Sequence, residues 1–131
     1  MAISLLLDTH ALVWAVANPD RLSDAARVQI SDPSTNLVVS AVSALELSTK
    51  VRLGKLPEAE PLVHQYHETI RHLGARHLPI EANHALRAGL LRWDHRDPFD
   101  RLLAAQSILE NHTLISRDAA FAELGGLQVL W

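Results

Sequence analysis

A chain of 131 residues, 48% of them hydrophobic and without an internal repeat, is expected to fold as one domain spanning 1–131, with a core able to hold a rigid site. It contains no cysteine, which excludes a disulfide framework and any thiolate chemistry or thiolate metal site. The net charge of −3 excludes a generally basic surface but leaves nucleic acid open, because the twelve Lys and Arg residues can gather on one face.

The opening Met1 to Leu7 lacks a basic leader and reaches Asp8 before a signal-type apolar stretch can form. No apolar run is long enough to cross a membrane, so a soluble cytoplasmic protein is the simplest account. Ile3 to Leu7 is a nearly continuous apolar run, as expected for a central strand covered on both faces, and His10 to Ala17 predicts a short helix stopped by Asn18-Pro19. Ser23 can cap a second helix that ends at Asp32-Pro33-Ser34. Asn36 to Ser40 predicts a second strand, and Ser43-Ala44-Leu45-Glu46 has capping-box spacing for a helix over 44–53. Glu60 to Leu73 predicts one helix with Leu62, Val63, Tyr66 and Ile70 on a face that can serve a symmetric dimer or pack on its own sheet. Gly74 is its stop.

His77 to Ile80 reads as a short edge strand, and Glu81 to Leu91 as a further helix. The polar, turn-rich segment Trp93 to Asp100 gives way to a strong helix through Arg101 to Gln106. His112 to Ser116 predicts another buried strand, a small helix runs through Phe121 and Leu124, and Leu127 to Leu130 is a last strand after Gly125-Gly126. Strands alternating with helices predict a layered α/β domain with a mainly parallel sheet and helices on both faces. In such sheets the carboxyl ends of the strands form the functional rim.

Four acids fall where predicted strands end or helices begin: Asp8, Glu46, Asp100 and Asp118. Each alone can be a helix cap; together they repel one another unless protons or cations compensate. Oxygen donors without cysteine suit Mg²⁺ or Mn²⁺ better than zinc. A divalent ion so held can activate water and bind a phosphate oxygen, which makes phosphodiester hydrolysis the natural chemistry. Asp97 competes with Asp100, since one can ligate while the other caps the helix. Thr9 and Ser116 are accessory hydroxyls, able to cap a turn or bind a phosphate oxygen. Arg101 and Arg117 are candidate phosphate contacts, although Arg101 can instead pair with Asp97 or Asp100 to hold the loop. His10, His95 and His112 have no metal-like spacing and read as surface or packing residues, as do His64, His67 and His72. No Gly-rich phosphate loop or G-x-S-x-G elbow is present.

The segments Leu5-Leu6-Leu7-Asp8-Thr9-His10-Ala11-Leu12-Val13-Trp14, Ser40 to Leu47, Asp97-Pro98-Phe99-Asp100-Arg101-Leu102-Leu103 onward to Gln106, and Ser116-Arg117-Asp118 resemble the PIN-domain ribonucleases, more closely the VapC-type toxins of toxin–antitoxin pairs. The resemblance covers nearly the whole chain. It implies a three-layer α/β/α fold with a five-stranded parallel sheet, and Asp8, Glu46, Asp100 and Asp118 as the acidic quartet. It further implies Mg²⁺- or Mn²⁺-dependent endonucleolytic cleavage of RNA, with transfer or ribosomal RNA as target, homodimerisation, and a cognate antitoxin as partner. The alternatives are a catalytically inactive interaction module on the same fold and a metal-dependent hydrolase of another phosphoester.

Overall fold

The computed structural model describes residues 3–131. The opening segment begins with Met1 and Ala2, which lie outside the described residues. Among the described residues five strands form one parallel sheet: β1 (Ser4–Leu7), β2 (Asn36–Ser40), β3 (Arg76–Leu78), β4 (Thr113–Ile115) and β5 (Val129–Leu130), in the order β3-β2-β1-β4-β5. The central strand β1 registers Leu7 against Val39 of β2 on one side and against Ile115 of β4 on the other. Helices α1 (Thr9–Ala17), α2 (Asp24–Ser31), α3 (Ala41–Arg52), α4 (Glu60–His64), α5 (Tyr66–Leu73), α6 (Ala82–Leu90) and α7 (Pro98–Leu109) connect and cover the strands. Among the described residues no helix is long and apolar enough to cross a membrane.

The strand period of two divides the core. Leu5, Leu7, Leu37, Val39 and Ile115 point to one face, where Leu12, Val13, Ala26, Leu47, Leu62 and Ile70 from the helices meet them. Leu6, Val38 and Leu114 point to the other, against Leu103, Ala104 and Phe121. Each fully buried leucine contributes roughly 2 kcal/mol. A sheet covered on both faces needs strands with no polar side, which is why Leu5-Leu6-Leu7 is unbroken. The three-layer α/β/α arrangement with a five-stranded parallel sheet is the one expected.

Two helices depart from expectation. Helix α3 begins at Ala41 rather than Ala44, because the Ser40 hydroxyl already caps it, accepting from the Val42 amide at 3.1 Å. Ser43 is thus inside the helix, and Glu46 lies in its second turn. The stretch over 60–73 is two helices, broken at Gln65 (φ −119°, ψ 34°). Leu62 before the break and Ile70 after it are both core residues, 4% and 0% exposed. Of the two uses open to this apolar face, a symmetric dimer or its own sheet, it packs on its own sheet. Gly74 ends α5 with φ +78°, a left-handed conformation that a side chain would strain.

Candidate metal centre

Parallel strands β1 and β4 end side by side, so the residues that follow them share one rim. Asp8 leaves β1 and caps α1, its Oδ1 accepting from the Ala11 amide at 2.7 Å. Ser116 leaves β4 beneath the rim; its Oγ accepts from the Asp118 amide at 3.0 Å, and its hydroxyl also serves the Asp8 carboxylate. Asp118 caps the short 3₁₀ turn Ala119–Glu123, accepting from the Ala120 amide at 2.9 Å. Glu46 comes across from α3, 4% exposed, with Lys50 Nζ 2.5 Å from its Oε2. Asp100 comes from the first turn of α7.

These acids line one open cavity of about 430 Å³ together with Thr9, Asp97 and Arg117. The structure separates the two aspartates that flank Pro98-Phe99. Asp97 is the cap of α7, its Oδ1 accepting from the Phe99 and Asp100 amides at 2.8 and 3.2 Å. Asp100 is left free of capping and turns into the cavity. Thr9 ties α1 to α3 through a buried contact of 3.1 Å with the Ser43 hydroxyl.

Arg101 stands elsewhere. Its five N–H groups are committed to main-chain carbonyls, donating to Ala88 (2.9 Å), Gly89 (3.5 Å), Leu91 (2.7 Å), Trp93 (2.8 Å) and His95 (2.9 Å). It satisfies the open end of α6 and stitches down the following loop. It holds the loop as one expectation had it, but through carbonyls rather than through Asp97 or Asp100, and it has no donor left to meet phosphate.

That loop delivers His95, expected only as a surface or packing residue, to the acids. His95 Nε2 lies 2.7 Å from Asp100 Oδ2, and its ring stands 4.8 Å from that of Trp93. Among the described residues, donor atoms of His95, Asp100 and Asp118 fall within 4.8 Å of one another. No local spacing announces this, since its partners are five and 23 residues away; the only signal is a histidine in a polar loop just ahead of the Asp97-Pro98 helix start. His10, Trp14 and Lys50 also line the cavity.

The electrostatics record the crowding. Burial pushes the Asp8 carboxyl up to about 6, partly offset by the Ser116 and Ala11 hydrogen bonds, with the nearby Glu46 and Asp118 charges adding to the rise. Burial also raises Asp100 to about 6, against the hydrogen bond from His95 and with repulsion from Asp97 and Glu46. Carboxylates driven together against their own charge fit a divalent cation. Oxygen donors with one imidazole nitrogen among them suit Mg²⁺ and, better, Mn²⁺.

The PIN domain family matches residues 5–127, and the chain belongs to that family. It is similar to Ribonuclease VapC22 of Mycobacterium tuberculosis (strain ATCC 25618 / H37Rv), 31% identical over 116 residues that cover 88% of this chain and 87% of the relative. Among solved structures it resembles the DNA-bound VapBC of Salmonella typhimurium, with a TM-score of 0.69 at 14% identity, covering 98% of this chain and 97% of that one. FitAcB from Neisseria gonorrhoeae gives a TM-score of 0.66 at 22% identity, covering 97% and 96%. At these identities the two structures show a shared fold.

Proposed function

We propose that this protein is a metal-dependent endoribonuclease, one PIN domain over 1–131 that acts in the cytoplasm as the toxin of a toxin–antitoxin pair. The observation that carries the reading is the convergence of Asp8, Glu46, Asp100 and Asp118 on one cavity with Asp8 and Asp100 raised to about 6. The ribonuclease name of the mycobacterial relative and the toxin–antitoxin complexes that share the fold support it. The RNA is structured, of the transfer or ribosomal kind, and the antitoxin is the protein partner.

Asp8, Glu46, Asp100 and Asp118 would hold Mg²⁺ or Mn²⁺, with His95 completing the set on the α7 side. The ion, when bound, supplies Lewis acidity for activating water and for offsetting charge on the scissile phosphate. Ser116 keeps the Asp8 carboxylate turned to the cavity, and Lys50 does the same for Glu46. Arg117, exposed at the rim, donates to a non-bridging phosphate oxygen. Water adds at phosphorus and gives up a proton, the bond to the leaving sugar oxygen breaks, and a proton returns from solvent to that oxygen, so none is gained or lost overall.

Homodimerisation belongs to this reading through a face other than α4–α5, and sedimentation at micromolar concentration tests it. The exposed Leu86 and Leu90 of α6 supply apolar surface for it.

Total RNA incubated with the parent and with Asp8→Asn purified in parallel tests the activity. Discrete new ends are expected with Mg²⁺ or Mn²⁺ and none with EDTA. Asp8→Asn is expected to cut at least about 100-fold more slowly, the upper end of what even outer partners of a metal site cost. Equal cleavage by both proteins would sink the assignment, and metal binding without cleavage of any RNA would favour the interaction module.

A further inference from the structure

The acidic cavity has a second wall, of which the phosphate reading uses only Arg117. His10 and Trp14, one turn apart on α1, both line it with ring centroids 5.8 Å apart. Arg117 enters from the β4 side with its guanidinium carbon 6.0 Å from the Trp14 ring centre, and that of Arg21 lies 5.5 Å from the same centre. Trp131 braces the indole at 5.7 Å, tilted by 58°. His10 and Arg117 are exposed, and Trp14 is half-buried.

Core packing accounts for only part of this arrangement. The Trp14 side chain rests on the core of its sheet face, yet it also borders the cavity. Neither Arg21 nor Arg117 makes an ion pair among the described residues. Cationic side chains gathered around an indole, beside a floor of carboxylates with none of which they pair, are organised for a flat π surface. A nucleobase is such a surface, and it stacks on aromatic rings and guanidinium planes alike. In a nucleic acid the base is tethered one sugar away from its phosphate, just as this wall adjoins the acidic floor. Bases in a duplex hide their faces in the helical stack, so only an unpaired nucleotide can present one.

We propose that the His10, Trp14 and Arg117 wall is a stacking subsite for one unpaired nucleobase next to the phosphate bound over the carboxylates. The subsite rests on the ribonuclease reading and narrows its substrate to single-stranded segments such as loops. Stacking accepts every base, so the wall selects strandedness and leaves base identity to other contacts.

The test uses the full chain with Mn²⁺ and a short labelled RNA, either single-stranded or annealed to its complement. Fluorescence anisotropy reads binding directly after mixing, and a denaturing gel of the same samples reads cleavage. The parent is expected to prefer the single strand. Trp14→Phe keeps a π face and most of that affinity. Trp14→Leu keeps apolar contact with the core but has no π face, and is expected to bind the single strand about tenfold more weakly with duplex binding unchanged. If its melting curve shows that Trp14→Leu folds poorly, His10→Ala at an exposed position carries the same comparison. A parent indifferent to strandedness, or a folded Trp14→Leu or His10→Ala that binds as the parent does, overturns the subsite. Strand preference lost in Trp14→Leu but with no cleavage by the parent retires the ribonuclease reading and keeps the subsite. Cleavage with binding unchanged in the variants does the reverse.

Discussion

Helix α7 carries two polar constellations that obey opposite rules. At its start Asp100 faces a cavity where carboxylates meet carboxylates, and burial holds Asp8 and Asp100 at about 6. Two turns on, Gln106 is fully buried in a neutral network: its Oε1 accepts from the Ser40 hydroxyl at 2.5 Å, and its amide nitrogen donates to the Pro79 carbonyl at 3.1 Å and meets His84 Nδ1 at 3.2 Å. The network is satisfied within the chain and carries no net charge. The cavity is left short of cations. Groups that complete one another hold a fold together, and groups that remain incomplete are where a ligand gains its affinity.

Removing the network side chain is the strongest way to break that contrast. Gln106→Leu strands the buried Ser40 hydroxyl and takes one partner from the Pro79 carbonyl and one from His84 Nδ1, which keeps the Glu81 amide, and is expected to cost about 3 kcal/mol in urea denaturation. Metal affinity measured on the remaining folded protein should change little. A variant as stable as the parent would show that the network is ornamental.

The cavity should respond with the opposite sign. The folded Asp8 keeps its proton up to about pH 6 against an ordinary value of 3.8, so between those limits the native chain binds more protons than the unfolded one. Stability of the metal-free protein therefore falls as pH rises from about 4 to about 6, by about 3 kcal/mol from Asp8, and Asp100 pulls in the same direction. Asp8→Asn retains an oxygen to cap α1 and loses the charge; above pH 6 in EDTA it should be about 2 kcal/mol more stable than the parent. Urea titrations at a series of pH values check this, and a pH-independent difference between the two proteins would contradict it.

The smallest effect sharpens the boundary of the cavity. His95→Gln should weaken Mn²⁺ binding about tenfold in calorimetry, and Mg²⁺ binding less, because the lost donor is a nitrogen. Unchanged Mn²⁺ affinity would return the site to carboxylates alone.

The sequence shows the cavity better than its supports. Asp8 stands out because an unbroken apolar strand ends on it, and Asp100 because Asp97-Pro98 marks a helix start. The capping-box spacing at Ser43 misplaces the start of α3, since the competing cap at Ser40 is set by the end of β2. His95 escapes because the atoms that place it belong to Arg101, and the bonds of Arg101 run to carbonyls, which every residue has. A pattern of side chains cannot reveal a side chain whose partners are main chain.

The parallel register of β1 and β4 acts as a ruler. Leu7 faces Ile115, so the next residues, Asp8 and Ser116, arrive at the rim level with each other. One residue added to β4 would carry Ser116 about 3.3 Å along and turn it to the opposite side of the sheet. The loop from the end of α3 to α4 has no such gauge, because it carries no residue of the cavity. Length changes should therefore be tolerated in that connection and lethal to the site within a few residues of Asp8 or Ser116, whichever side chains the inserted residues bring.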